Sequence, residues 1–98
     1  MPEVAREGDE ISTGHGCDTT STIKGHAEKC YAEGKAIARK GDVITTHKIN
    51  HGDDCDPHVV HIAEGSSTVF CEGKAIARKN DKVDKGKITG HASKVFSG

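Results

Sequence analysis

Gly34-Lys35-Ala36-Ile37-Ala38-Arg39-Lys40 returns without a change as Gly73-Lys74-Ala75-Ile76-Ala77-Arg78-Lys79. Seven identical residues twice in a chain of 98 mark a repeat protein. Each copy is followed by a small residue and an aspartate, Gly41-Asp42 or Asn80-Asp81. Each is preceded by a glutamate, Glu33 or Glu72, and before that by an apolar pair, Cys30-Tyr31 or Val69-Phe70. A third copy is divided between the chain ends. Val4-Ala5-Arg6-Glu7-Gly8-Asp9 matches Ile37 to Asp42, and Val95-Phe96-Ser97-Gly98 matches the segment that starts at Val69-Phe70. Pairing of the two ends would close three units into one ring, so a single domain over residues 1–98 is expected, its third unit shared by the N- and C-terminal segments.

Composition narrows the class. One third of the residues are apolar and 3% are aromatic, so a conventional core would be thin. Small domains of this kind usually need a metal, disulfides or a partner. The net charge of −1 gives no electrostatic case for nucleic acid or an anionic membrane. No charged-then-apolar N-terminal segment resembles a secretion signal, which predicts a chain made in the cytoplasm. Disulfides are not expected in that reducing setting, and a metal is the better reading for at least one of Cys17, Cys30, Cys55 and Cys71.

No stretch carries a helical apolar pattern over two turns, whereas Gly and β-branched residues recur every few positions. The repeats read as strand, two-residue turn, strand: Cys30 to Ala32, Glu33-Gly34, Lys35 to Arg39, and likewise around Glu72-Gly73. Further strands are predicted at about 43–46, 59–63 and 86–89. Between the hairpins lie three unequal insertions, Glu10 to Glu28, Val43 to Ser67 and Lys82 to Lys94. A regular frame with unequal insertions suggests that the insertions meet and build the specialised part.

Seven histidines are a large excess for this length. His15 follows Asp9 by six residues and His47 follows Asp42 by five, and the longest insertion adds Cys55-Asp56-Pro57-His58. Threefold placement would gather His15, His47, Cys55 and His58, four borderline ligands suited to a closed tetrahedral zinc site. Lys85, at the comparable place in the third insertion, is no ligand. Cys17 is a fallback ligand, His51 and His61 read better as surface residues, and Cys30 and Cys71 as small strand residues. His26 and His91 share a Gly-His-Ala setting that suggests a turn role in the frame.

On these residues the chain resembles the PAAR-repeat family. Val4 to Asp9, Gly34 to Asp42 and Gly73 to Asp81 carry the resemblance, supported by Gly14-His15-Gly16-Cys17-Asp18 and by Val69-Phe70 and Val95-Phe96. The family's Pro-Ala-Ala-Arg reads Ala-Ile-Ala-Arg here. The resemblance implies an all-β fold, a small pseudo-threefold cone of three β-hairpin repeats with zinc near the point. It implies a structural, membrane-piercing tip that caps a trimeric β-helical spike of a contractile phage tail or a type VI secretion system. Implied partners are that spike, one copy per trimer, the target cell envelope and effector proteins. The matching zinc ligands are His15, His47, Cys55 and His58.

Symmetry adds an expectation about docking. One chain matches a threefold platform only by presenting three similar patches, and the hairpins offer Tyr31, Phe70 and Phe96 with Val69 and Val95. The competing reading is a free zinc-binding module or a small zinc enzyme. A catalytic zinc keeps a position open for water, and four protein ligands argue against that. No Ser/His/Asp set, paired carboxylates or phosphate loop has the spacing of an active site, so no enzymatic activity is expected.

Overall fold

A computed structural model describes residues 3–96, and of His51 the backbone alone. No helix occurs among them, and ten short strands account for the regular structure. Two hairpins repeat the frame, β3 (Tyr31–Ala32) with β4 (Lys35–Ala36), and β7 (Phe70–Cys71) with β8 (Lys74–Ala75). Their turns have positive φ at both central residues, Glu33 at 52° with Gly34 at 80° and Glu72 at 54° with Gly73 at 79°. Two such residues in succession suit a two-residue hairpin, because the turn's twist then matches that of the strands. The chain ends meet at the equivalent place. Glu3 bridges Phe96, and the Val4 amide donates to the Val95 carbonyl at 2.8 Å.

The frame's hydrogen bonds come in threes. At its centre the Ala5 amide donates to Ala77, Ala77 to Ala38 and Ala38 to Ala5, each at 3.0 Å. Three backbones can approach this closely only where side chains are minimal, and all three alanines are fully buried. Each repeat then turns back through an Arg-x-x-Asp clamp. The backbone amide and Nε of Arg6, Arg39 and Arg78 donate to Oδ2 of Asp9, Asp42 and Asp81, and Nη2 donates to Oδ1 at 3.0 Å. The residue before each aspartate has positive φ, which explains why Gly8, Gly41 and Asn80 stand there.

The core is aliphatic and built of matching sets: Ala5, Ala38 and Ala77; Ile11, Ile44 and Val83; Ile23, Ile62 and Ile88. A second cluster under the hairpins holds Val4, Ile37 and Ile76 with Ala27, Ala32, Cys71 and Ala92. Cys30, Val69 and Val95 pack against it, half-buried. Aromatic residues add nothing to either cluster, so the low aromatic count reflects a core of small branched residues in place of a missing one.

The insertions are hairpins of their own, which the sequence reading did not predict for any of the three; of the further strands it expected, only the one at 86–89 is present, as Gly86–Ile88. β1 (Glu10–Ser12), β2 (Thr20–Thr22), β9 (Lys82–Val83) and β10 (Gly86–Ile88) form one sheet in the order β2-β1-β10-β9. β5 (His47–His51) and β6 (Asp54–His58) form a separate ribbon, with His47 opposite His58 at its foot. The strands expected at 43–46 and 59–63 are instead single bridges, Ile23 to Ile44, Val43 to His61 and Ile62 to Val83. Each segment touches a different neighbour for one residue before passing to the next, which leaves no length for a ladder. The whole measures 41 × 23 × 23 Å.

Glutamates clamp one unit to the next. Glu33 accepts from the Ser93 amide at 2.8 Å and its hydroxyl at 2.9 Å, and from Arg6 at 3.3 Å. Glu72 accepts from the amides of Glu28 and Lys29 and from Arg39 at 3.0 Å. The Ser93 amide, then its hydroxyl, hold the Glu33 carboxyl below the usual carboxylate value, with Arg6 adding to this and burial opposing it.

Replacing Ala77 by Leu forces a branched side chain into the closed ring and should cost about 1–3 kcal/mol, with thermal unfolding showing a fall of roughly 4–8 °C per kcal/mol. A melt unchanged within a degree would show that the ring is not tightly packed. Because the folded Glu33 carboxyl titrates below its unfolded counterpart, its clamp contributes stability above the unfolded value and loses it as pH falls through the folded one. Glu33→Gln should therefore flatten part of the acid limb of stability against pH, measured by denaturant unfolding between pH 3 and pH 6; an identical acid limb would remove the clamp from the account.

Candidate metal centre

Three insertions deliver four side chains to one place. His15 lies in the β1–β2 connection, His47 opens β5, His58 closes β6, and Asp84 sits in the two-residue turn between β9 and β10. One ligand atom from each lies within 4.8 Å of all the others. His15 Nε2 is 2.6 Å and His47 Nε2 is 2.9 Å from Asp84 Oδ2, and His58 Nε2 is 3.2 Å from Oδ1. The ring centroids form a nearly equilateral triangle with sides of 5.1–5.3 Å. His15, His47 and Asp84 have side chains only 3–4% exposed, while His58, at 26%, forms the open side.

Local backbone geometry explains the placement. The ribbon register sets His47 and His58 opposite one another, so both rings leave the same face. Asp84 is held at φ 56°, and the next amide, Lys85, donates to the Thr13 carbonyl at 3.0 Å. Gly14 lies against the Lys85 carbonyl and Gly86 against the Ser12 carbonyl so closely that a Cβ at either would collide with backbone. These two glycines let the His15 loop and the Asp84 turn touch.

The hydrogen bonds fix the chemistry. His15 Nδ1 is 3.0 Å from the Gly16 carbonyl, and His47 Nδ1 is 3.0 Å from the Thr45 carbonyl. A carbonyl only accepts, so each Nδ1 carries a proton, and a neutral ring then turns an Nε2 lone pair towards the Asp84 carboxylate. Burial pushes the Asp84 carboxyl up, and only hydrogen bonds donated by His47, His58 and His15, each of which needs a proton on Nε2, would bring it below its ordinary value. Lone pairs facing a carboxylate at 2.6–2.9 Å repel unless a cation lies among them. Charging the rings is a poor alternative, because one carboxylate cannot balance three imidazolium ions packed this closely. The donor set, three imidazoles and a carboxylate with backbone carbonyls bracing two rings, fits a divalent transition metal.

His15, His47 and His58 thus come together as their spacing suggested, and Cys55 does not join them. It is bonded to Cys17, with Cα atoms 6.0 Å apart. Parity along β6 is the reason: Cys55 and His58 are three residues apart, and strand side chains alternate faces. The expectation of reduced cysteines also fails, since Cys30 and Cys71 are paired as well, across neighbouring hairpins with Cα atoms 6.6 Å apart. Sequence reasoning missed Asp84 by taking Lys85 beside it as the equivalent position; the available signal was a turn aspartate two residues before Gly86.

The other singled-out residues lie elsewhere. His26 and His91 each set Nδ1 2.8 Å from the next residue's carbonyl, Ala27 or Ala92. His61 is exposed and bridges Val43, and the side chain of His51 falls outside the described atoms. Tyr31, Phe70 and Phe96 are exposed at 63%, 60% and 51%, at matching places in the three units.

A search of curated proteins finds no significant match to the chain. The sequence model of the PAAR motif matches residues 13–89. That span takes in both intact repeats and all four converging side chains, and the chain belongs to the PAAR-motif family.

Proposed function

We propose that this protein is the pointed tip of a contractile injection apparatus, one chain capping a trimeric β-helical spike, with a single zinc stiffening the three insertions. PAAR-motif proteins serve as spike tips in type VI secretion systems and phage tails. The observation that carries the docking part is the triplication of an exposed aromatic within one chain. Tyr31, Phe70 and Phe96 occupy the same hairpin position in each unit, and all three are more than half exposed. A monomer with three like patches matches three identical chain ends, and exposed apolar groups in a regular array mark a partner surface. Val69 and Val95 support these patches from the half-buried layer behind.

Zinc would add what the core cannot. The β5–β6 ribbon is mostly exposed, gives no residue to either core cluster and is tied to the first insertion by the Cys17–Cys55 disulfide. A metal joining His47 and His58 at the foot of the ribbon to His15 and Asp84 ties all three insertions together. Because such a site rarely exists in the unfolded chain, its binding free energy becomes folding free energy.

His47→Ala should lower zinc content well below one per chain and lower the melting temperature of the zinc-loaded protein, whereas His26→Ala should change neither; elemental analysis with calorimetry reads both. Acid should release the metal as the imidazoles protonate. For the capping reading, native mass measurement of the complex with a spike trimer should give one chain per three spike chains. A ratio of three to three would refute it, and Phe70→Ser should weaken capping without changing zinc content.

A further inference from the structure

The same cluster carries a sharper inference, which rests on the proposal that it holds a metal. Two features of the cluster disfavour a thiolate ligand. The Cys55 sulfur is committed to Cys17, and strand parity turns it to the face opposite His58. Meanwhile a buried carboxylate already occupies the fourth corner, 2.6–3.2 Å from all three Nε2 atoms. That carboxylate is held by its turn, its neighbour's bond to Thr13 and the two close glycine approaches.

We infer that the metal is held by Nε2 of His15, His47 and His58 and by a carboxylate oxygen of Asp84, with no sulfur ligand, so that the metal centre and the Cys17–Cys55 disulfide coexist. The consequence is chemical. A thiolate-containing zinc site loses its ligand when the thiol is oxidised, because the thiolate is the metal-binding form. A site of three imidazoles and a carboxylate contains nothing that a disulfide-forming environment removes. Nitrogen and oxygen donors also suit borderline divalent ions such as zinc and disfavour soft ones such as cuprous copper.

X-ray absorption on the intact, oxidised protein loaded with zinc alone tests the assignment. The expected spectrum shows nitrogen and oxygen neighbours at ~2.0–2.2 Å and no sulfur at ~2.3 Å. The Cys17→Ser/Cys55→Ser double variant should keep one zinc per chain with the same spectrum, and Asp84→Asn should weaken zinc affinity at least tenfold in a chelator competition. A sulfur neighbour in the wild-type spectrum, zinc loss in the double serine variant, or unchanged affinity in Asp84→Asn would each overturn it. The wild-type spectrum keeps the test decisive even where a variant fails to fold. Protein that caps the spike yet takes up no zinc would overturn the metal assignment and leave the capping proposal standing.

Discussion

Everything in this fold hangs on three backbones meeting at one axis. Ala5, Ala38 and Ala77 exchange amide and carbonyl around a closed triangle, each bond 3.0 Å long. A triangle of this kind leaves no room for larger side chains and no free amide among its members. It explains why the repeated heptapeptide is so strict while the insertions vary freely. The clamps of Arg6, Arg39 and Arg78 onto their aspartates lie one step out from the ring and turn the chain back over it. Each guanidinium is satisfied on two sides by a largely buried carboxylate, the geometry in which arginine is least interchangeable with lysine.

A ring of three units needs seams, and the seams are polar. Glu33 and Glu72 reach from a hairpin turn to the backbone amides that begin a neighbouring unit. Carboxylates accepting amide bonds replace the apolar surface that so small a chain cannot supply. Among the described residues no buried side-chain polar atom lacks a partner. Satisfied polar contacts, two clusters of small, mostly aliphatic residues and the Cys30–Cys71 disulfide hold the frame together, and large aromatics are left free for its surface.

Much of this was legible in the sequence because it is written as repetition. Identity between Gly34–Lys40 and Gly73–Lys79 placed the hairpins, and the divided copy at the ends pointed to pairing of the segment around Val4-Ala5-Arg6 with that around Val95-Phe96, where the Val4 amide meets the Val95 carbonyl. His15 and His47 were found by their nearly equal distance from a repeat aspartate. What escaped was whatever depends on register. Whether Cys55 or Asp84 completes the cluster turns on which face of a strand a residue occupies and on a left-handed turn at one position. Neither is visible until the pairing of β5 with β6 and of β9 with β10 is known. The cysteine pairing escaped for a different reason, since disulfides were set aside on the expectation of a reducing setting; Cys30 and Cys71, 41 residues apart, are neighbours because adjacent units pack side by side.

The two disulfides are interleaved, Cys17 to Cys55 and Cys30 to Cys71, so their covalent rings overlap between residues 30 and 55. Every peptide bond from residue 17 to residue 71 therefore lies inside at least one closed ring. A protease that cut the exposed turn at Gly52-Asp53 would open a loop without producing two separable fragments. For a small protein with so much exposed turn, persistence after a cut becomes a matter of covalent topology as much as of folding free energy, and a nicked molecule would still be held in one piece.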